Sequence, residues 1–198
     1  HLHPVVKPKK LKEILAYQPE YYRWAGADLI NVTNTRGKRQ MVVIENNSCP
    51  SGQKSMPLPL DHMEQGGYRD LMEKSFKPFC KANKIPRNGV LAVFYDKNIM
   101  ENSGYAAAMA DVFKKPVYLV PFYDEDDHAH IRYCNEYIEI LTAGNQWKPV
   151  AAAFRYVTQK PWKRIPVHTA TKIYNPVIAS LAGGRNKLVA SKAYDSYN

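Results

Sequence analysis

Cysteine is scarce in this chain. Only Cys49, Cys80 and Cys134 stand in 198 residues, and no two are spaced as CxxC. An odd count at such spacing supports neither a disulfide framework nor a zinc knuckle, so a reducing, cytoplasmic compartment is expected. Long apolar runs are missing too. Nothing approaches the roughly 20 apolar residues of a membrane helix, and no charged start followed by an apolar core marks a secretory signal. Glycine-rich phosphate motifs are also absent. In Pro50-Ser-Gly-Gln-Lys-Ser-Met-Pro57, Gln53 separates Gly52 from Lys54, and Asn47 occupies the place of the first Walker A glycine, which excludes a P-loop. The single glycine of Asn102-Ser103-Gly104 is far short of a dinucleotide fingerprint.

Acidic residues are the minority sign. Lys and Arg number 28 against 18 Asp and Glu, a formal charge of +10. That excess favours an anionic ligand or surface, whether nucleotide, acidic metabolite, nucleic acid or anionic membrane. With 45% hydrophobic and 23% charged residues, the chain is composed as a folded protein. Its length suits one domain, or one domain and a fragment of the next.

Along the chain, residues 1–10 read as an extended basic arm, followed by a short helix carrying Leu11, Ile14 and Leu15 that ends before Pro19. Tyr21, Tyr22 and Trp24 form an aromatic cluster suited to a core or a packed lid. Residues 30–45 are two β-rich runs around Arg36-Gly37, hence a hairpin whose exit strand leads into the loop 46–59. Residues 68–83 have helical spacing, with a kink expected at Pro78. Val90–Tyr95 is a continuous apolar run fit for a buried parallel strand, Asn102-Ser103-Gly104 opens a helix over 105–114, and 116–122 is the next strand. Strand, helix and strand in that order make a βαβ unit, with its ligand edge at the strand carboxyl ends. Residues 131–141 and 147–157 read as strands flanking Ala143-Gly144-Asn145. Arg155 lies inside the second, where an unpaired charge is costly, so a carboxylate, phosphate or carbonyl partner is expected. Asp124–His130 collects acids and imidazoles but reads as a solvated loop, and no metal site is assigned.

The most informative stretch is 164–194. Asn175 before Pro176 reads as a helix start, Gly183-Gly184 stops that helix, and Asn186 caps another with Leu188, Val189, Ala193 and Tyr194 at helical spacing. Exposed amides, two glycines and the cations of Arg185 and Lys187 suit a phosphate or carboxylate; the same residues also suit an ordinary solvated turn.

Asn175-Pro176 followed by Gly183-Gly-Arg-Asn-Lys-Leu188 resembles the passage by which ATP-grasp enzymes enter their nucleotide-binding domain. With Ala153-Phe-Arg-Tyr-Val-Thr-Gln159 and the Pro50–Pro57 loop, most of the chain from about Asn31 onward is similar to an ATP-grasp group related to glutathionylspermidine synthase. The resemblance implies a Rossmann-like pre-ATP-grasp α/β domain over residues 30–165, with a partly parallel sheet and added β-hairpins. An arm and helix (1–29) would precede it, and a linker with the start of a truncated ATP-grasp domain (166–198) would follow. It implies ATP and Mg2+ as cofactors, small-molecule carboxylate and amine or thiol substrates, and a missing C-terminal half that holds the metal ligands. Lys187, Arg185, Asn186 and Asn175 would meet the nucleotide phosphates. Ser51, Gly52, Gln53, Lys54, Ser55 and Arg155 would face substrate. Residues 1–198 alone are expected not to turn over. A basic nucleic-acid-binding domain, motivated by the charge and 14 tyrosines, and a non-catalytic interaction module on a ligase scaffold are the alternatives. No nucleic-acid motif is present.

Overall fold

α1 (Pro8–Ala16) already begins inside the expected basic arm, because a proline in the first helical turn gives up no needed donor. The computed structural model describes residues 7–49, 66–124, 128–181 and 192. After α1 come β1 (Gly26–Thr33) and β2 (Arg39–Asn47), an antiparallel hairpin with a bulge at Asp28/Leu29. Its turn is set by Asn34, whose Oδ1 accepts the amides of Arg36 and Lys38, and by Gly37 at a φ of 73°.

The helix expected over 68–83 is three helical runs in succession, α2 (Gly66–Leu71), a π turn (Met72–Phe76) and α3 (Lys77–Ala82). The amide of Lys77 reaches back to the carbonyl of Met72. Pro78 has no amide for the preceding turn and its ring crowds the carbonyl four residues back, so the helix widens there.

β3 (Val90–Tyr95) has the bounds read from sequence. α4 spans Ile99–Phe113, starting several residues before the Asn102-Ser103-Gly104 that had been expected to open it. Asn102 is buried inside the first turn, with Nδ2 donating to the carbonyls of Lys97 and Asn98. Gly104 lets the α2 side chain Tyr68 approach, since a Cβ there would lie 2.7 Å from its ring. β4 follows (Val117–Pro121). The run 131–141 is two strands, β5 (Ile131–Cys134) and β6 (Tyr137–Leu141), joined by Asn135 and Glu136, both at positive φ. With Glu in place of glycine at that turn, the sequence carries no strong turn signal. β7 (Trp147–Tyr156), a 3-10 turn (Pro161–Lys163), β8 (Lys172–Tyr174) and α5 (Val177–Leu181) complete the described chain.

The main sheet is mixed, ordered β4-β3-β7-β6-β5, with β8 also on β7. β4, β3, β7 and β8 run parallel; the β5–β6 hairpin joins antiparallel. β6 and β8 share one edge of β7, and Thr171 bridges the gap by accepting the Ile138 amide and donating to the Val150 carbonyl. The boundary expected after residue 165 therefore does not separate the strands, because Lys172–Tyr174 belongs to this sheet.

Alternation along β3 explains its unbroken apolar run. Leu91, Val93 and Tyr95 face a core closed by helical residues Met72, Phe76, Tyr105 and Met109, and Trp24 of the amino-terminal segment enters the same core. Ala92 and Phe94 face a second core with Phe122, Ile138, Ile140, Ile165 and Val177. A strand covered on both sides has no solvent face to mark with polar residues.

Candidate functional site

The chain passes from β3 to β4 on one side, then returns to place β7 on the other. In open α/β sheets the carboxyl ends beside such a reversal are where ligands gather. The residues immediately following the parallel strands are Asp96 after β3, Phe122 after β4, Val157 and Thr158 after β7, and Asn175 after β8.

Two buried arginines stitch these ends together. Arg164 donates from Nη1 to the carbonyl of Phe122, and from Nη2 to Asp96 Oδ2 at 3.0 Å and to the Gln159 carbonyl. Asp96 Oδ2 also accepts the amides of Thr158 and Gln159, both at 3.0 Å. Arg155 donates from Nε to the carbonyl of Asn175 at 2.7 Å and from Nη1 to that of Val157 at 2.6 Å. Backbone carbonyl, one of the three partner types expected for Arg155, is thus found among the described residues. Its enclosure is nearly complete, at 1% exposed.

Asn175 does not cap a helix with its side chain, contrary to the expected role. Oδ1 accepts the amides of Arg23 (2.7 Å) and Trp24 (3.1 Å), while Nδ2 donates to the carbonyls of Trp24 and Ser48. A fully buried amide can satisfy donors and acceptors of two distant segments at once. Next to Ser48, the Cys49 thiol donates to the Arg155 carbonyl at 3.1 Å. Burial pushes that thiol up to about 12, against the opposing pull of Arg155. It is a structural donor at neutral pH rather than a nucleophile.

Beyond this stitched layer stands a carboxylate. Glu101, in the first turn of α4, accepts the Tyr156 hydroxyl at 2.9 Å and the Tyr105 hydroxyl at 3.4 Å, and Asn98 Nδ2 lies 3.3 Å from the same Tyr156 oxygen. Burial, then the charge of Glu101, drives the Tyr105 hydroxyl upward, which keeps it a donor. Asp96, Asn98, Glu101, Tyr156 and Arg164 were not singled out from sequence. The available signal was their position, since polar residues just beyond apolar parallel strands fall on the ligand edge.

Arg155 and Asn175 are thus brought together. Ser51, Gly52, Gln53, Lys54 and Ser55, and Arg185, Asn186 and Lys187, lie outside the described residues. The described residues leading toward those two segments, Ser48-Cys49 and Asn175-Pro176, meet at the carboxyl end of β7. A cavity of about 660 Å3 lies elsewhere, along β8, lined among others by Glu20, Arg23, Phe79, His168 and Lys172. Neither Arg155 nor Asn175 lines it. Among the described residues, no group of three or more His, Cys, Asp or Glu could hold a metal ion, and no helix is long and apolar enough to cross a membrane. The family models give no match to this chain, and no curated protein matches it.

Proposed function

We propose that this chain is the amino-terminal α/β portion of an ATP-grasp ligase, its carboxyl edge forming one wall of the cleft where carboxylate substrate and nucleotide meet. The finer fold reading, a Rossmann-like pre-ATP-grasp domain, belongs to the same proposal. One observation carries it. Arg155 and Asn175, from two of the sequence blocks on which the resemblance rests, are joined by a hydrogen bond, and Ser48-Cys49, the residues just ahead of the third block, bond to both.

In this reading the carboxylate oxygen of the substrate attacks the terminal phosphorus of ATP and ADP leaves. An amine or thiol then attacks the acyl phosphate, expelling phosphate and losing its proton to solvent. Mg2+ would offset charge on the phosphates, with its ligands on chain beyond this one. Lys54, Arg185 and Lys187 are the cations proposed to reach the phosphates, Asn186 the amide beside them, and Ser51, Gly52, Gln53 and Ser55 the loop facing substrate. Arg155 and Asn175 hold Ser48-Cys49 and the start of the Asn175-Pro176 turn, the residues that lead toward those two segments. They are positioning residues, since their named contacts are to the fold itself.

Hydroxylamine trapping tests this. Native protein longer than this chain, given Mg·ATP and a mixture of small carboxylic acids, should form hydroxamate together with ADP, and Lys187→Ala should slow it at least about tenfold. Residues 1–198 alone should release no phosphate. Phosphate release by that chain alone, or full activity in the Lys187→Ala protein, would refute the reading.

A further inference from the structure

The β1–β2 hairpin stands apart from both cores with apolar side chains on each of its faces. Leu29, Val43 and Met41 share one face by register, and Ile30, Val42 and Val32 the other. All six are exposed, Met41 and Leu29 by 63% and 51%. A lone two-stranded hairpin is at best marginally stable in water, and exposed apolar surface of this kind is characteristic of a contact face. β1 pairs only with β2, so its other edge is open among the described residues. Natural edge strands are usually guarded by Lys, Pro or bulges that face the edge. β1 reads Gly-Ala-Asp-Leu-Ile-Asn-Val-Thr, with no Lys, Arg or Pro, and Asp28 as its one charge; the bulge opposite Asp28/Leu29 puts its extra residue, Ile44, on β2.

The charge pattern selects the occupant. At the hairpin base Asp28 stands opposite Glu45, a like-charge pair that is repulsive across strands, while the tip carries Arg36, Lys38 and Arg39. A segment acidic at one end and basic at the other is complementary to itself when turned end for end. A second copy of this chain, related by a twofold axis, meets that requirement.

The geometry points to a homodimer formed by antiparallel pairing of β1 with β1 of a second copy, giving a four-stranded sheet ordered β2-β1-β1-β2. Centring the twofold on Asn31 sets Ile30 opposite the partner's Val32, and Leu29 opposite the partner's Thr33. It sets Asp28 opposite the partner's Asn34, at the turn that carries Arg36 and Lys38. Asn31 then faces its own copy. An amide carries both donor and acceptor, which a residue on a twofold axis requires.

That axis supplies the test. Asn31→Lys sets two ammonium groups against each other, and Asn31→Asp two carboxylates; because β1 is exposed, both should keep the wild-type circular dichroism spectrum, and their melting temperatures should fall only by what loss of the dimer removes. Light scattering on the purified chain at about 10–100 µM should give twice the 22.6 kDa chain mass, and each variant alone should dissociate at concentrations at least about tenfold higher. Mixing the two variants should restore the dimer, because ammonium now meets carboxylate. A monomeric wild type, variants that still dimerise alone, or a mixture that stays monomeric would each overturn the proposal.

Discussion

Asn175→Ala removes one fully buried side chain and strands four backbone groups. The amides of Arg23 and Trp24 lose their acceptor, and the carbonyls of Trp24 and Ser48 lose their donor. At about 0.5–1.5 kcal/mol net per bond, with some relief from water entering the gap, the loss should be about 3 kcal/mol. For a chain of this size that corresponds to a fall in Tm of roughly 6–12 °C. Trp24 should report the same event, because it packs on Phe154 and Tyr105 with ring centroids 4.9 and 6.1 Å away. Urea unfolding followed by circular dichroism gives the energy, and tryptophan emission, shifted to longer wavelength before global unfolding, locates the loss. Asn175→Asp separates the two halves of the amide: it keeps acceptors for the two amides but turns a carboxylate toward two carbonyls, so it should be no more stable than the alanine variant. A loss below about 1 kcal/mol with unchanged emission would refute the view that this residue ties the amino-terminal segment to the sheet.

Asp96→Ala should cost about 3–5 kcal/mol in the same urea assay, because it leaves the buried Arg164 guanidinium with only the more exposed Asp124 carboxylate, 3.9 Å from its Nε; Asp96→Asn, which preserves an acceptor, should cost less, and equal losses would mean that the retained acceptor contributes nothing. Cys49 and Cys80 are both pushed by burial from 9.0 to about 12. Their contribution to stability is therefore complete below pH 9 and falls as pH rises toward 12, since unfolding lets the thiols ionise. Urea midpoints above pH 9 should drop less in the Cys80→Ala protein relative to its own neutral value. In native protein at pH 8 a thiol reagent should modify the partly exposed Cys134 ahead of the buried Cys80, and modification of the two at the same rate would contradict the burial.

Where local chemistry and long-range packing demanded the same thing, the sequence was readable. Val90–Tyr95 had to be a doubly covered strand because nothing along it could face water, and Asn34 to Lys38 had to be a turn because an Asx side chain and Gly37 supply its hydrogen bonds and its positive φ. Reading failed where the backbone took a conformation its residues do not advertise. Glu136 occupies a left-handed position without being glycine, so one apparent strand is a hairpin. Asn102 looked like a cap because cap residues also serve inside a first turn when a carbonyl lies within reach.

The amino-acid order by itself determined that a partly parallel α/β core forms, that a hairpin precedes it, and that Arg155 needs a partner, since periodicity and the cost of a buried charge are local properties. Only the tertiary structure decided who that partner is. Residues 20 to 152 positions apart meet at the strand ends, where Asn175 holds Arg23, Trp24 and Ser48 and its own carbonyl receives Arg155. A buried amide or guanidinium must be satisfied by whatever the fold brings within hydrogen-bonding distance, and no local stretch of sequence contains that distance.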